Sequence, residues 1–208
     1  MTPRVKICGV TRVEDALLAA ELGASAIGLV FWPGSSRAVD PGRAREITDR
    51  LPPFVTAVGV FVDQPVAFVR EIVETARLRA IQLHGSEAVE AYDGLPWPVI
   101  KAIPVRGGVR PPELLRLPAR VIALLDAHDP VRVGGTGRTI DWQVAASVAV
   151  ERPIILSGGL RPENVAEAVA TVRPYAVDVA SGVEQEPGVK DAARLRAFFA
   201  AVMEGTGR

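Results

Sequence analysis

Eight short apolar runs divide the chain, and no other feature narrows its possible folds as far. They lie at Arg4–Cys8, Ala26–Phe31, Val55–Val62, Arg79–His84, Val99–Pro104, Arg120–Asp126, Pro153–Ser157 and Tyr175–Ala180. Continuous apolar runs, unlike alternating ones, mark strands covered on both faces, and such strands belong to parallel sheets. The amphipathic stretches between them read as helices: Arg12–Leu22, Pro41–Leu51, Pro65–Ala76, Glu87–Tyr92, Pro112–Leu115, Asp141–Val148, Pro162–Thr171 and Lys190–Met203. Asp40 before Pro41, Asp63 near Pro65 and Arg161-Pro162-Glu163 are start signals for three of these. The fourth and fifth stretches are short and weakly patterned. The runs end at residues 8, 31, 62, 84, 104, 126, 157 and 180, about 20 to 31 apart, the length of a strand–helix unit. Eight such units favour a closed (β/α)₈ barrel over an open doubly wound sheet. With 208 residues and no linker, low-complexity segment or clear repeat, residues 1–208 read as a single α/β domain with short loops.

Composition excludes more than it assigns. The 24 basic and 24 acidic residues balance, so net charge gives no reason to expect nucleic acid or an anionic membrane as partner. Any anion site must be local. The one cysteine forms no internal disulfide and no thiol cluster for zinc, which fits a reducing cytoplasm. The first residues enter a strand without a basic region and long apolar stretch, so no signal peptide is expected. No apolar run approaches the ~20 residues that span a bilayer.

A barrel carries its chemistry on the loops after its strands. The polar and glycine-rich segments fall there: Gly9–Thr11, Pro33–Arg37, Asp63-Gln64, Gly85-Ser86, Asp126–Arg138, Gly158-Gly159 and Ser181–Glu184. Strand alternation pairs Lys6 with Cys8 on one face, and the apolar Val5 and Ile7 on the other. Lys6 and Cys8 are therefore expected to face the barrel interior, as are Gln82 with His84, Leu124 with Asp126 and Asp178 with Ala180.

Each candidate has a plain reading beside the functional one. Cys8 is a small buried hydrophobe or a base at a strand end. With a reference thiol pKa of ~8.5, a base role calls for a lowered pKa, which Lys6 could supply. Asp126 closes the run Val121-Ile122-Ala123-Leu124-Leu125 and is either a turn cap or a working acid. An acid at strand six and a base at strand one could flank a ligand across the mouth. Gly134-Gly135-Thr136-Gly137, Gly158-Gly159 and Ser181-Gly182 follow strands six, seven and eight, where barrels often hold phosphate. Arg37 is solvated surface or a carboxylate clamp. His84 reads as structural, lacking a carboxylate neighbour in sequence, and Trp32, Trp97 and Trp142 read as packing.

Taken in order, these segments resemble the phosphoribosylanthranilate isomerase family of tryptophan biosynthesis. The resemblance runs from Lys6 almost to the C-terminus. It rests on Lys6-Ile7-Cys8-Gly9-x-Thr11, Gly28–Phe31, Gly59-Val60-Phe61, Gln82-Leu83-His84-Gly85, Leu125-Asp126 and Gly135-Thr136-Gly137. Asp141-Trp142, Leu156 to Val165 and Val177 to Glu184 continue it. It implies a (β/α)₈ barrel and an Amadori rearrangement of N-(5-phosphoribosyl)anthranilate to the carboxyphenylamino-deoxyribulose phosphate. It further implies Cys8 as general base, Asp126 as general acid and Arg37 as holder of the anthranilate carboxylate. The backbones of Gly135, Thr136, Gly137, Gly158, Gly159, Ser181 and Gly182 would cradle the phosphate. No cofactor or metal is implied, and the expected partner is the small phosphosugar-anthranilate substrate, bound by a monomer or a homodimer. Two departures stand out: Ala38 and Val39 follow Arg37 where the family more often has an aromatic or a lysine and tyrosine, and Ala180 stands where serine is common.

Three other functions remain open to the sequence. A Schiff-base lyase or aldolase would use Lys6 or Lys101 as nucleophile. A catalytically silent phosphate-binding barrel would leave the acid and the thiol unexplained. An isomerase that also takes the histidine-pathway aldosylamine would be expected to carry aspartate in place of Cys8.

Overall fold

Each of the eight apolar runs forms a strand, and these strands pair in chain order into one closed parallel barrel. The computed structural model describes residues 2–106, 108–127 and 140–207. The strands are β1 (Arg4–Cys8), β2 (Ala26–Val30), β3 (Thr56–Phe61), β4 (Ala80–Leu83), β5 (Val99–Val105), β6 (Ile122–Ala127), β7 (Ile154–Leu156) and β8 (Ala176–Val179). Closure is made by β1 against β8, with Lys6 opposite Asp178 in register. On its other side β1 sets Cys8 opposite Gly28 of β2.

Two apolar layers follow from the strand alternation. Outward residues such as Ile7, Ile27, Ile81, Leu125 and Val177 pack beneath the helices in the main core. Inward residues Val58, Ala80, Ile100, Ala102, Leu124, Ile155 and Ala176 fill the barrel. Above them Cys8, Val30 and Val60 form a separate apolar group, with Trp32 and Ala180 packed against it. The parity expected for Lys6, Cys8 and Leu124 is thus observed.

The helical coat is uneven, for local reasons. Helices α1 (Val13–Glu21), α2 (Pro41–Thr48) and α3 (Val66–Thr75) cover the first three units, and α4 (Trp142–Ala149), α5 (Val165–Val172) and α6 (Ala192–Thr206) the last three. Between them, Val89–Tyr92 and Pro112–Leu115 form only short 3₁₀ turns. Gly94, Pro96 and Pro98 end the first, and Pro111, Pro112 and Pro118 bracket the second, leaving too few residues with free N–H groups for an α-helix.

Asp40 caps α2 as expected, accepting from the Arg43 N–H at 2.9 Å with Pro41 in the first turn. Asp63 does not cap α3. It takes φ +52° and accepts from Ser86 across the loops instead. Helix α5 starts at Val165, after Asn164 rather than Pro162. The last helix also starts later than expected, because Lys190 belongs to a hairpin of β9 (Glu184–Glu186) and β10 (Val189–Lys190). Asp191 caps α6 through the Arg194 N–H.

Candidate active site

Strand alternation brings Cys8 to the mouth of the barrel together with Lys6 just below it. Gly28, directly opposite Cys8, makes the space: a Cβ there would lie 2.7 Å from the thiol sulfur and 3.1 Å from Lys6 Nζ. Lys6 Nζ donates to Asp178 Oδ1 at 2.7 Å, and both side chains are almost fully buried. Ser157 Oγ donates to the other oxygen, Oδ2, at 3.3 Å. Burial opposes the lysine's charge, but Asp178 and Cys8 outweigh it and raise its pKa above the ordinary value. Lys6 is therefore a fixed cation.

The thiol responds to the same groups in the opposite sense. Burial pushes the Cys8 pKa above its ordinary value, Lys6 pulls it down, and Asp178 adds to the rise. The expected help from Lys6 is present, yet burial outweighs it. At neutral pH the thiolate is a minority form, and its share grows as pH rises.

Across the mouth, Asp126 is the next-to-last residue of β6. Its Oδ1 accepts from the Ala127 N–H at 2.9 Å, and its Oδ2 lies 3.2 Å from His84 Nε2. Gln82 Nε2 stands 3.1 Å from His84 Nδ1. When Gln82 donates to Nδ1, the ring proton sits on Nε2 and points at the Asp126 carboxyl. The premise that His84 lacks a carboxylate neighbour is corrected here, while a hydrogen-bonded structural role remains compatible with these contacts. Its partner comes from β6, and no local pattern on β4 announces it.

Arg37, in the loop after β2, turns toward the same opening. Its guanidinium is held by Glu184, with Nε to Oε1 at 2.9 Å and Nη2 to Oε2 at 2.6 Å. Cys8, Gly9, Trp32, Arg37, Val60, His84, Asp126, Asp178 and Ala180 share a single cavity of about 80 Å³. Trp32 was expected only to pack, but here it both packs against Val30 and Val60 and lines the mouth. A larger hollow, about 580 Å³, opens on the opposite rim near Arg4, Arg173 and Tyr175. It contains neither Cys8 nor Asp126.

Gly159, Ser181 and Gly182 surround a second hollow on the mouth side, about 350 Å³, together with Leu160, Arg161 and Arg194. Gly158 lies beside it and adopts φ +86°. The candidate phosphate loops after β7 and β8 are therefore adjacent. Arg194, at the start of α6, escaped the sequence reading because its place depends on the hairpin. Gly135, Thr136 and Gly137 lie outside the described residues.

The two candidate Schiff-base lysines fare differently from expectation. Lys6 is locked in its buried ion pair, which removes the free amine that attack on a carbonyl requires. Lys101 faces out of the barrel, donating to Gly85 O at 2.7 Å and Glu87 Oε2 at 2.9 Å. Among the described residues no three metal-ligating side chains gather, and no helix is long and apolar enough to cross a membrane.

Comparison with known proteins places this geometry. The family model described as N-(5'phosphoribosyl)anthranilate (PRA) isomerase matches residues 5–201. The chain is 50% identical over 198 residues to the N-(5'-phosphoribosyl)anthranilate isomerase of Geobacter sulfurreducens, covering 94% of this chain and 96% of that one. Its fold matches the crystal structure of phosphoribosyl anthranilate isomerase from Thermus thermophilus with TM-score 0.88 and 49% identity, over 99% and 100% of the two chains. A third relative, solved in complex with reduced 1-(o-carboxyphenylamino)-1-deoxyribulose 5-phosphate, matches with TM-score 0.85 and 40% identity over 99% and 100%.

Proposed function

The chain belongs to the N-(5'-phosphoribosyl)anthranilate isomerase family, and from that premise we propose that Cys8 and Asp126 are its base and acid. The enzyme is an isomerase of tryptophan biosynthesis that converts N-(5'-phosphoribosyl)anthranilate to 1-(2-carboxyphenylamino)-1-deoxyribulose 5-phosphate. The observation that carries the residue assignment is the shared cavity lined both by Cys8, at the end of β1, and by Asp126, near the end of β6.

In this reading Asp126 protonates the furanose ring oxygen. The C1′–O bond breaks as the anilinic nitrogen's lone pair forms a C1′=N bond, giving a protonated Schiff base. The Cys8 thiolate then removes the C2′ proton, and the C–H electrons form the enolamine as nitrogen recovers its lone pair. Tautomerisation gives the ketone, and proton transfer returns acid and base to their starting forms. His84 steadies the Asp126 carboxyl, and Lys6 supplies a positive charge beside the thiolate as it forms. Arg37 holds the anthranilate carboxylate, while the backbones of Gly158, Gly159, Ser181 and Gly182 receive the phosphate; Gly135, Thr136 and Gly137, outside the described residues, are assigned the same role from the family resemblance.

The assignment is tested by steady-state kinetics of Cys8→Ala and Asp126→Asn beside wild type, each expected to lose kcat with its fold intact. Near-normal turnover in either variant removes that residue from its role. We also read the chain as one cytoplasmic domain acting as a monomer or homodimer. A sedimentation experiment decides between the two assemblies.

A further inference from the structure

The motif after β8 contains Glu184, to which neither the acid–base pair nor the phosphate cradle assigns a role. Glu184 is 5% exposed, and the hairpin it opens ends in Lys190, also 5% exposed. Burying two charged side chains in such a position is unfavourable unless partners compensate. Here both are fully engaged. Lys190 Nζ donates to the carbonyl of Cys8 at 2.6 Å, to that of Ala180 at 3.2 Å and to Glu184 Oε1 at 2.8 Å. Glu184 in turn takes the Nε–Nη2 edge of Arg37 and the Gly188 N–H.

We propose that the β9–β10 hairpin is a positioning device for the isomerase reaction, with Glu184 aiming Arg37 at the substrate carboxylate and Lys190 fixing the backbone that carries Cys8. The proposal rests on the reading of Cys8 as base and Arg37 as carboxylate clamp. A guanidinium has two edges that can receive a carboxylate in parallel hydrogen bonds. Glu184 occupies the side-on edge. The end-on edge, Nη1 with the second hydrogen of Nη2, remains for the anthranilate carboxylate, and among the described residues nothing takes Nη1.

The hairpin is fitted to both loops it serves. Gly9 has φ +68°, and a Cβ on it would stand 2.4 Å from Arg37 Cδ, so the arginine stem crosses directly over the residue after Cys8. Thr11 Oγ1 donates to Gly188 O at 2.7 Å, and the Lys190 N–H donates to Asp15 Oδ2 at 3.0 Å. The opening motif and the motif after β8 thus form one unit, joining the ends of β1, β2 and β8. Electrostatics agree with the geometry. Burial pushes the Glu184 pKa upward, but Arg37 and Lys190 outweigh it and hold the carboxyl below its usual range.

The titratable and charged groups facing Cys8 are Lys6 from β1, Asp178 from β8, Lys190 from β10 and Arg37 from the loop after β2, with His84 and Asp126 across the mouth. Removing the Lys190 charge therefore raises the thiol pKa, and the rise of kcat/KM with pH moves to higher pH.

The test is a kinetic comparison of wild type, Cys8→Ala, Arg37→Ala, Glu184→Gln, Lys190→Met and the double variant Arg37→Ala/Glu184→Gln. Glu184→Gln is expected to raise KM about 10-fold with kcat within about 3-fold. The double variant should be no worse than Arg37→Ala, because Glu184 acts through Arg37. Lys190→Met should lower kcat about 10-fold, leave KM within about 3-fold and shift the alkaline rise upward. If the glutamine variant does not fold, Glu184→Asp, which keeps the charge and shortens the reach, should raise KM in its place. If the methionine variant does not fold, Lys190→Arg should lower kcat without moving the pH profile.

A raised KM in Arg37→Ala beside an unchanged KM in Glu184→Gln would overturn the role of Glu184, as would a double variant far worse than Arg37→Ala. Unchanged kcat in the Lys190 variants would overturn the role of Lys190. Failure of the underlying reading looks different: Cys8→Ala would then turn over normally, or Arg37→Ala would keep the wild-type KM.

Discussion

Two charged clusters on the rim of this barrel are built from similar parts. One joins the loops after β3 and β4 to β5. Glu87 accepts from the Asp63 and Gly85 N–H groups and from Lys101 Nζ, while Asp63 accepts from the Ser86 N–H and hydroxyl. The other joins the ends of β1, β2 and β8 through Arg37, Glu184 and Lys190. Each ties three segments together with a buried carboxylate and a lysine. In the first, Lys101 donates to Gly85 O and Glu87, and no member of the cluster lines the cavity that holds Cys8 and Asp126. The second contains Arg37, which lines the cavity that holds Cys8 and Asp126, and among the described residues its Nη1 has no partner. The difference teaches that a buried ion pair by itself says little about function. On the proposed assignment, what separates a strut from a binding group is its place on the lining of the site.

The comparison can be broken at several points. The largest effect is expected at the mouth, where Cys8→Ala and Asp126→Asn should each lower kcat by at least ~10²-fold, the scale of a lost positioned acid or base. Stopped assays on purified, folded protein check this. Next in size, Arg37→Ala should raise KM about 10-fold or more while leaving kcat comparatively intact, as loss of ground-state carboxylate binding predicts. If KM is unchanged, the second cluster is no different in kind from the first.

A smaller effect concerns pH. The thiol's pKa is raised by burial, and the base must be deprotonated, so kcat/KM should climb several-fold from neutral pH through the thiol's titration. A thiol alkylation rate measured across the same pH range should follow the same curve. A flat profile for both would place the titration elsewhere. The smallest kinetic effect is expected for Lys101→Met in the first cluster. It should keep kcat and KM within about 3-fold yet lose about 2 kcal/mol of stability by leaving Glu87 short of a partner. Thermal melting should then fall by roughly 4–8 °C for a protein of this size.

Much of the architecture was legible because parallel strands must be apolar on both faces. The run Arg4–Cys8 is the observed β1 without adjustment, and the other strands differ from their runs by a few terminal residues. The alternation that placed Lys6 and Cys8 inside also holds. What escaped was of two kinds. Glu184–Glu186 and Val189–Lys190 are too short and too polar to show a strand period, so Lys190 was absorbed into the following helix. The contacts that define the site also join residues remote in sequence: Glu184 meets Arg37 at a separation of 147 positions, and His84, after β4, meets Asp126 on β6. Identity and spacing on one strand carry no trace of such partners. For Cys8 the sequence revealed the neighbour, Lys6, but not the burial that outweighs it.

The central claim is that one thiol removes the carbon-bound proton. It is tested most directly by following the loss of fluorescence of freshly generated N-(5'-phosphoribosyl)anthranilate, with wild type and Cys8→Ala compared at saturating substrate. Rapid loss with wild type and a rate at least ~10²-fold lower with the folded variant is the predicted result. Comparable rates for the two proteins would contradict it and send the search for the base back to the other groups around the mouth.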